Sequence, residues 1–176
     1  MDDIKKLEKY LIGRYLQEKD ISLAEVPQRR NALLYLAQRE ELAVMDRPLY
    51  ETIILAGDKG PVFPEIPVRT SEEALTLTLD CLAGMRVVYT GGLFPGVSPE
   101  SMNRIQNVVI TYKDVPDDEL RGMVMNQISW QKASESGRPY SLEDIQQDAG
   151  NIRPYDNAWD LYYDETYPGM ETCDSE

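Results

Sequence analysis

Residues 31–66, NALLYLAQREELAVMDRPLYETIILAGDKGPVFPEI, contain the succession of elements that decides the fold. Apolar residues at helical spacing predict a helix that starts at Pro27, which suits a first turn, and runs to about Met45. Pro48 then forces a turn, because the residue before a proline is pushed out of the helical region. The apolar, β-branched run at 52–56 predicts a short strand.

The segment after this strand, residues 57–67, contains two glycines and three prolines. This composition predicts an irregular and stiff loop. Within it, Gly60 allows a backbone angle that is closed to other residues, Pro61 fixes the next angle, and Val62 can anchor the loop in the core. We interpret the loop either as a rigid turn that holds the strand against the helix or as a direct contact with a partner.

The helix at 27–45 is predicted to be amphipathic. Its buried side is expected to carry four apolar residues: Leu33, Leu36, Ala37 and Leu42. Its solvent side is expected to carry a polar set: Arg29, Arg30, Gln38, Arg39 and Glu41. The carboxylate clusters at 40–41, 72–73 and 117–119 are interpreted as helix ends or solvated polar faces, not as catalytic or metal-binding groups.

Further helices are predicted on both sides of this block. They are expected at residues 3–19, at 98–112, at 117–127 with an extension at 130–134, and at 141–150. Apolar residues at helical spacing indicate the first of these helices. Ser98 and Pro99 suit the start of the second one, and acidic residues suit the first turn of the third.

Residues 71–82 fit two periodicities. The capping box at 70–73 (TSEE) favours a helix that is closed by Gly84. The alternation of apolar and polar residues at 75–81 has the period of a strand instead. We favour the helix, retain the strand as the alternative, and expect a separate strand at 86–90.

The composition excludes several classes of function. The 176 residues suit one domain with a hydrophobic core, no stretch is apolar enough for a membrane span, and the charged N-terminus does not resemble a signal peptide. Two cysteines form no disulfide framework or zinc motif, so we expect a cytoplasmic protein without cofactors. The chain has no histidine, the commonest general base and metal ligand. We therefore expect no enzymatic activity, because even a small hydrolase would lack a credible nucleophile and base.

The net charge of the chain is −13. Such acidity argues against direct binding to a nucleic-acid backbone. It is compatible with a basic protein partner, because opposite charges steer association. The alternative interpretation is that the acidity only keeps the protein soluble.

Residues 151–176 differ from the rest of the chain. They contain seven acidic residues, one arginine, one tryptophan and four tyrosines. Disordered tails are usually poor in aromatic residues, so we expect this segment to dock on its own domain or on a partner. The chain is therefore divided into a helical domain at 1–150 and an acidic, aromatic tail at 151–176. The expected fold class of the domain is mainly α (α+β), compact, with a small β-hairpin or short sheet near residues 51–90.

The order of motifs in residues 31–66 resembles the Panacea (SocA-like) antitoxin domain of bacterial and phage toxin–antitoxin pairs. The resemblance rests on four motifs: LLYLAQ at 33–38, PLY at 48–50, IILA at 53–56 and GPV at 60–62. A looser likeness extends over residues 98–145, where two helices and a tryptophan follow the order of the family. The chain departs from the family at 67–96, which matches no family segment, and at Asn126 and Ser129, where many members carry a histidine and a proline.

The resemblance implies a domain without chemistry of its own that sequesters a cognate toxin or delivers it to a protease. The expected partner is a basic protein toxin, with no membrane and no direct contact with nucleic acid. The expected contacts are the rim of the Gly-Pro loop and the tail, whose Trp and Tyr residues are typical interface anchors. These contact residues are Arg47, Lys59, Gly60, Pro61, Val62, Tyr155, Trp159, Tyr162 and Tyr163. The alternative function is an acidic phage-encoded inhibitor that mimics nucleic acid and blocks a host defence protein.

Overall fold

Seven α-helices and one two-stranded sheet make up the part of the chain that the structure, a computed structural model, describes, residues 1–150. In chain order the elements are α1 (Ile4–Lys19), α2 (Pro27–Met45), β1 (Leu55–Gly57), β2 (Gly60–Val62), α3 (Ser71–Tyr89), α4 (Pro99–Tyr112), α5 (Asp117–Met125), α6 (Ile128–Ser136) and α7 (Leu142–Gly150). A short 3-10 turn, Leu23–Glu25, joins α1 to α2. The expected fold class, mainly helical with a small hairpin, is confirmed. None of the described helices has the length and apolar character needed to cross a membrane.

Several helices begin at side-chain caps, and those at Thr70 and Ser98 are predicted from the sequence. The Asp3 carboxylate accepts a hydrogen bond from the first turn of α1, and Ser98 Oγ accepts one from Ser101 N in α4. Thr70 begins α3 with a capping box, in which the Glu73 carboxylate accepts a hydrogen bond from the backbone N–H of Thr70. Each of these side chains satisfies a backbone N–H that the helix leaves without a partner, so these starts follow from the local sequence.

Helix α3 extends to Tyr89, which decides between the two interpretations of residues 71–82 in favour of the helix. Two other expectations are wrong: Gly84 does not end the helix, and residues 86–90 do not form a strand. Gly84 is buried, and a Cβ atom at this position would collide with the ring of Phe94. The glycine therefore allows Phe94 to pack closely on the helix and does not terminate it.

The hairpin lies slightly later in the chain than expected. β1 overlaps only the end of the strand predicted at 52–56, and β2 lies inside the loop predicted to be irregular. The paired residues of the two strands are Leu55 with Val62, Ala56 with Pro61, and Gly57 with Gly60. Two residues, Asp58 and Lys59, separate the strands, which is a common length for a hairpin turn. Antiparallel pairing across this turn gives the segment more regular structure than its glycines and prolines suggest.

The helix expected at 117–127 with an extension at 130–134 is two helices, α5 and α6. The Asp148 carboxylate of α7 accepts hydrogen bonds from Ile128 N and Ser129 N, at 2.7 and 3.4 Å. These N–H groups belong to the first turn of α6, which Asp148 therefore caps from a distant position in the chain. A long-range cap leaves no local sequence pattern, which explains why the break is missed.

Helix α2 lies at the centre of the domain. It packs against α4, α5, α7 and β2, while α1 packs against α3 and α4. Leu33, Leu34, Tyr35 and Leu36 are all completely buried, so other elements cover the helix on all sides. The expectation of an amphipathic helix with a solvent face is wrong, because that pattern belongs to helices at the surface of a domain.

The polar set expected on the solvent face of α2 is buried as well. At most 9% of the surface of each residue is exposed: Arg29, Arg30, Gln38, Arg39 and Glu41. Neighbouring elements supply the partners. Arg30 shares the buried Glu8 of α1 with Arg69, and Glu41 pairs with Arg104 of α4 at 3.0 Å. The carboxylates at 40–41 therefore belong to a buried layer of ion pairs and not to a solvated face.

Candidate functional site

The hairpin contains the Gly-Pro-Val motif that the sequence singles out. A two-residue turn that ends with Lys59 connects β1 to this motif. Gly60 has a φ of 122°, a region that favours glycine, and a Cβ atom there would lie 3.3 Å from Val124 Cγ2 of α5. Both the backbone conformation and the close approach of α5 therefore favour glycine at this position.

The residues of the motif face in different directions. Gly60 and Pro61 are buried in β2, which packs against α2 and α5, whereas Lys59 and Val62 are exposed. In this conformation Gly60 and Pro61 support the hairpin. A partner could reach only the side chains of Lys59 and Val62.

The exposed side of the hairpin is apolar. Leu55 pairs with Val62 across the strands, and Ile53 precedes Leu55 by two residues. These three side chains are 37 to 53% exposed. We call Ile53, Leu55, Val62 and Lys59 the hairpin surface. Ile53 and Leu55 are not among the contact residues predicted from the sequence, although their alternation with the buried Ile54 is a signal that could have identified them.

Hydrogen bonds from two other elements hold the hairpin on the domain. Trp130 Nε1 of α6 donates to the carbonyl oxygen of Gly57 at 3.1 Å. Tyr140 N, just before α7, donates to the carbonyl oxygen of Ile54 at 2.8 Å. α6 therefore supports β1, while α2 and α5 support β2. The hairpin surface is held in place before any partner binds.

A groove of about 280 Å³ lies next to Lys59, between the starts of α2 and α5. Its cationic side chains are Arg29, Lys59 and Arg121. Arg29 is already paired with Asp117 at 2.8 Å. Among residues 1–150 no carboxylate lies within ion-pair distance of Lys59 Nζ, so this ammonium group is available to an acidic group.

The other expected contact residues do not join this surface. Arg47 follows α2, where its Nε donates to Glu41 Oε2 at 3.0 Å, and its side chain is half-exposed. It lines a different groove, which also includes Asp2 and Ser98. The structure therefore separates Arg47 from Lys59, although the sequence places both beside the same loop. Four expected residues lie outside the described part of the chain: Tyr155, Trp159, Tyr162 and Tyr163.

A second exposed apolar surface lies on α3. Its members are Leu75, Leu79, Leu82 and Tyr89, which we call the α3 stripe. The sequence does not reveal this surface, because the periodicity of the same residues fits both a helix and a strand. Their spacing of four, three and seven residues places them on one face once the segment is known to be helical.

The reactive side chains of the interior are closed to solvent. Tyr35 Oη and Ser129 Oγ donate hydrogen bonds to Asp148 Oδ2 at 2.6 and 2.5 Å, and all three residues are buried. Burial, followed by the nearby charge of Asp148, raises the pKa of Tyr35. Burial also raises the pKa of the Cys81 thiol, to about 12. These groups stabilise the interior and are not accessible to a substrate in this conformation.

The charges of the interior cancel. Within the described residues the buried charged side chains are four arginines and four carboxylates: Arg29, Arg30, Arg39, Arg104, Glu8, Glu40, Glu41 and Asp148. The acidic excess of residues 1–150 is therefore carried by side chains nearer the surface. The same part of the chain contains no group of three or more His, Cys, Asp and Glu residues that could hold a metal ion.

Comparisons of this chain with protein-family models, with curated proteins and with solved structures find no match. The resemblance of residues 31–66 to Panacea domains therefore stays a prediction from the sequence. The physical basis for a function is the hairpin surface, its rigid support and the acidic exterior.

Proposed function

We propose that the protein is a non-enzymatic, antitoxin-like protein that neutralises a cognate toxin by binding it directly. The observation that carries the proposal is the hairpin surface, where Ile53, Leu55 and Val62 expose apolar side chains on a fixed support. The identity of the partner as a toxin comes from the resemblance of residues 31–66 to the antitoxin domain. Delivery of the captured toxin to a protease in the cytoplasm is part of the same proposal.

A rigid apolar surface of this kind favours protein binding for two reasons. Removing the Leu55–Val62 pair from water contributes roughly 25 cal/mol for each Å² of apolar surface that a partner covers. The hairpin is already held by Trp130 and Tyr140, so little conformational entropy is lost when a partner docks. A mobile loop with the same side chains would bind more weakly.

The charge of the protein supports a basic partner. The interior charges cancel, so the acidic excess acts on approaching molecules and speeds the capture of a cationic surface. Lys59 lies in this acidic exterior without an ion-pair partner among residues 1–150. A carboxylate of the toxin that reaches Lys59 would fix the orientation of the complex.

The remaining expected contacts have supporting roles in this proposal. Arg47 is half-exposed beside Glu41, from which it could reach a toxin that extends beyond the hairpin. The tail residues Tyr155, Trp159 and Tyr162 would act as aromatic anchors, together with Tyr163. Deletion of residues 151–176 tests the tail separately from the hairpin.

The experiment is co-expression with the product of an adjacent gene, followed by measurement of growth and of the dissociation constant of the purified pair. We expect the wild-type chain to restore growth. Val62→Asp is expected to weaken binding about 10- to 100-fold, because it places a charge at the centre of an apolar contact. The matched control is Ile110→Asp, which changes an exposed apolar residue of α4. Equal binding by the Val62 variant and the wild type would exclude the hairpin surface as the contact.

The second candidate function is an acidic, phage-encoded inhibitor that mimics nucleic acid. The observation that favours it is the outward location of the acidic excess. Salt and competitor DNA separate the two functions. A mimic is released from its target by DNA or RNA and by salt. A toxin held at the hairpin surface associates more slowly in salt but keeps its slow dissociation in salt and in DNA, because the apolar contact is not screened.

A further inference from the structure

Helix α3 has two apolar faces. The buried face packs on α1 and comprises Ala74, Leu77, Cys81 and Met85. An adjoining face, about a third of a turn round the helix at 100° per residue, carries the α3 stripe, whose four side chains are 38 to 60% exposed. The stripe follows the alternating four- and three-residue spacing of a two-helix interface. Arg86 occupies the position of this pattern between Leu82 and Tyr89. A helix that only covers its own domain needs one apolar face.

The size of the α3 stripe matches an interaction site. Its four side chains present on the order of 400 Å² of apolar surface, which is as large as the largest patch on a typical monomer. Two such stripes with their flanking residues would bury on the order of 1,200 Å² in total, the lower limit for a stable interface. In the described part of the chain, the elements packed on α3 are α1 and the Leu23–Glu25 turn.

We propose that the α3 stripe is the interface of a symmetric dimer, in which α3 packs antiparallel against α3 of a second copy. A self-complementary patch satisfies the twofold symmetry of such a dimer. In the register that joins the leucines best, Leu79 contacts Leu82 of the partner subunit and the axis passes between these positions. Leu75 then lies against the aliphatic stem of Arg86 of the partner subunit.

The charges at the two ends of α3 select the antiparallel arrangement. Glu72 and Glu73 lie in the first turn, and Arg86 lies in the last turn. An antiparallel pair places Arg86 next to Glu72 of the partner subunit and aligns the helix dipoles favourably. A parallel pair would place the acidic first turns side by side and would bring Arg86 close to Arg86 of the partner subunit.

The net charge gives the dimer a distinctive response to salt. Each copy carries −13, so two copies repel each other at long range. Salt screens this repulsion and leaves the apolar contact intact, so dimerisation strengthens as salt rises. Salt has the opposite effect on the capture of a basic toxin by the same acidic protein, because it lowers the association rate.

The first experiment measures the dissociation constant of the full chain by sedimentation equilibrium. We expect a value on the order of 10 µM, because the interface is at the small end of the stable range. Leu79→Glu is expected to weaken the dimer at least about 100-fold, since it places two carboxylates in the apolar centre. The control, Ile110→Glu, alters an exposed apolar residue of α4 and is expected to leave the constant unchanged. Circular dichroism verifies that both variants are folded.

The second experiment tests the antiparallel arrangement by charge reversal. Arg86→Glu is expected to weaken the dimer about tenfold, because two symmetry-related pairs become repulsive. The double variant Arg86→Glu with Glu72→Arg restores the opposite charges and is expected to return to within about threefold of the wild type. In a parallel dimer the double variant would gain nothing over the single one, and that result would overturn the arrangement.

The dimer and the proposed function fail independently. Val62→Asp is expected to keep the dimer, and Leu79→Glu is expected to keep toxin binding. A wild-type chain that is monomeric at about 100 µM, a concentration well above the expected constant, overturns the dimer. A monomeric wild type whose toxin binding is lost in Leu79→Glu would assign the α3 stripe to the toxin instead.

Discussion

Helices α2 and α3 have the same length, 19 residues, yet they distribute polar and apolar side chains in opposite ways. α2 keeps Arg29, Arg30 and Glu41 inside the domain, whereas α3 keeps Leu75 and Leu79 outside it. Either sequence by itself would suggest a surface helix with one apolar side. The difference shows that the position of a helix in the fold, and not its polarity, decides which of its side chains are buried.

The neighbours of each helix explain the difference. α2 is surrounded by helices that bring counter-charges to it, such as Glu8 of α1 and Arg104 of α4. A buried charge is tolerated when it is paired and hydrogen-bonded. α3 lies at the edge of the domain, where α1 covers only the face that contains Cys81 and Met85. Within residues 1–150 no other element covers the α3 stripe, which stays exposed.

The largest effect is expected from alkaline pH, which acts on two buried tyrosines of the core, Tyr35 and Tyr50, and on the partly buried Tyr140. Burial is the main cause that raises the pKa of Tyr35, Tyr50 and Tyr140 above the usual value of 10.0. Their stabilising contribution is therefore fully present below pH 10.0 and is lost as the pH rises above it. The free energy of unfolding should fall by about 4 kcal/mol for each pH unit above that point, at about 1.4 kcal/mol per tyrosine.

The measurement is circular dichroism together with tyrosinate absorbance along an alkaline titration. We expect part of the absorbance change to coincide with the loss of helical signal. Complete ionisation of all tyrosines in a protein that keeps its helical signal would contradict the prediction.

The next largest effect is expected from Glu8→Ala. The carboxylate of Glu8 is buried between Arg30 and Arg69, so its removal leaves two guanidinium groups without a counter-charge. The free energy of unfolding should fall by about 3 to 5 kcal/mol, measured by denaturant unfolding. The control is Glu135→Ala on the exposed side of α6, for which a change within about 0.5 kcal/mol is expected. Equal effects of the two variants would mean that the Glu8 ion pairs contribute nothing.

A smaller effect is expected from a pair of glycine variants. Gly84→Ala in α3 should cost about 1 to 3 kcal/mol, because the new methyl group collides with the ring of Phe94. Gly122→Ala in α5 should stabilise the protein by up to about 1 kcal/mol, because alanine favours the helix. A Cβ atom at this position would have no atom of another part of the protein within 4 Å. Thermal unfolding of both variants measures the difference. Stabilisation by both would contradict the close packing of Phe94 on α3.

The smallest effect is expected from Leu75→Ser on the α3 stripe. In the monomer this change should alter the free energy of unfolding by no more than about 0.5 kcal/mol, because the side chain is mostly exposed. Leu33→Ala on α2 should cost about 2 to 5 kcal/mol, because Leu33 is completely buried. Denaturant unfolding measures both effects, at a protein concentration well below the dissociation constant proposed for the dimer. A large loss from Leu75→Ser under these conditions would indicate that α3 has a second covered face.

Sequence patterns predict most of the helices of this protein. The predicted caps at Thr70 and Ser98 are local interactions, and each one places a helix start correctly. The break between α5 and α6 is not visible in the sequence, because Asp148 supplies its cap from another helix. The role of Gly84 is missed for the same reason, since its close neighbour Phe94 is brought to it by the fold.

The candidate surface is predicted only in part. The Gly-Pro-Val motif, predicted to lie in an irregular loop, forms strand β2, and only Val62 of its three residues is exposed. Ile53 and Leu55 can be assigned to the same surface as Val62 only when the pairing of β1 with β2 is known. Arg47 and Lys59 are close to the same loop in sequence but belong to different grooves in the structure. Exposure is a property of the whole domain, so motif reading alone misjudges it.

The sequence by itself determines the helical character of the protein, its acidic charge, and the restricted backbone angles of the glycine and proline in the hairpin. These properties depend on residue type and on neighbours along the chain, so they can be read locally. Only the tertiary structure decides that the charges of α2 are paired inside the domain and that the leucines of α3 are left outside. Such burial depends on which elements pack against a helix, and those contacts join residues that are far apart in the chain.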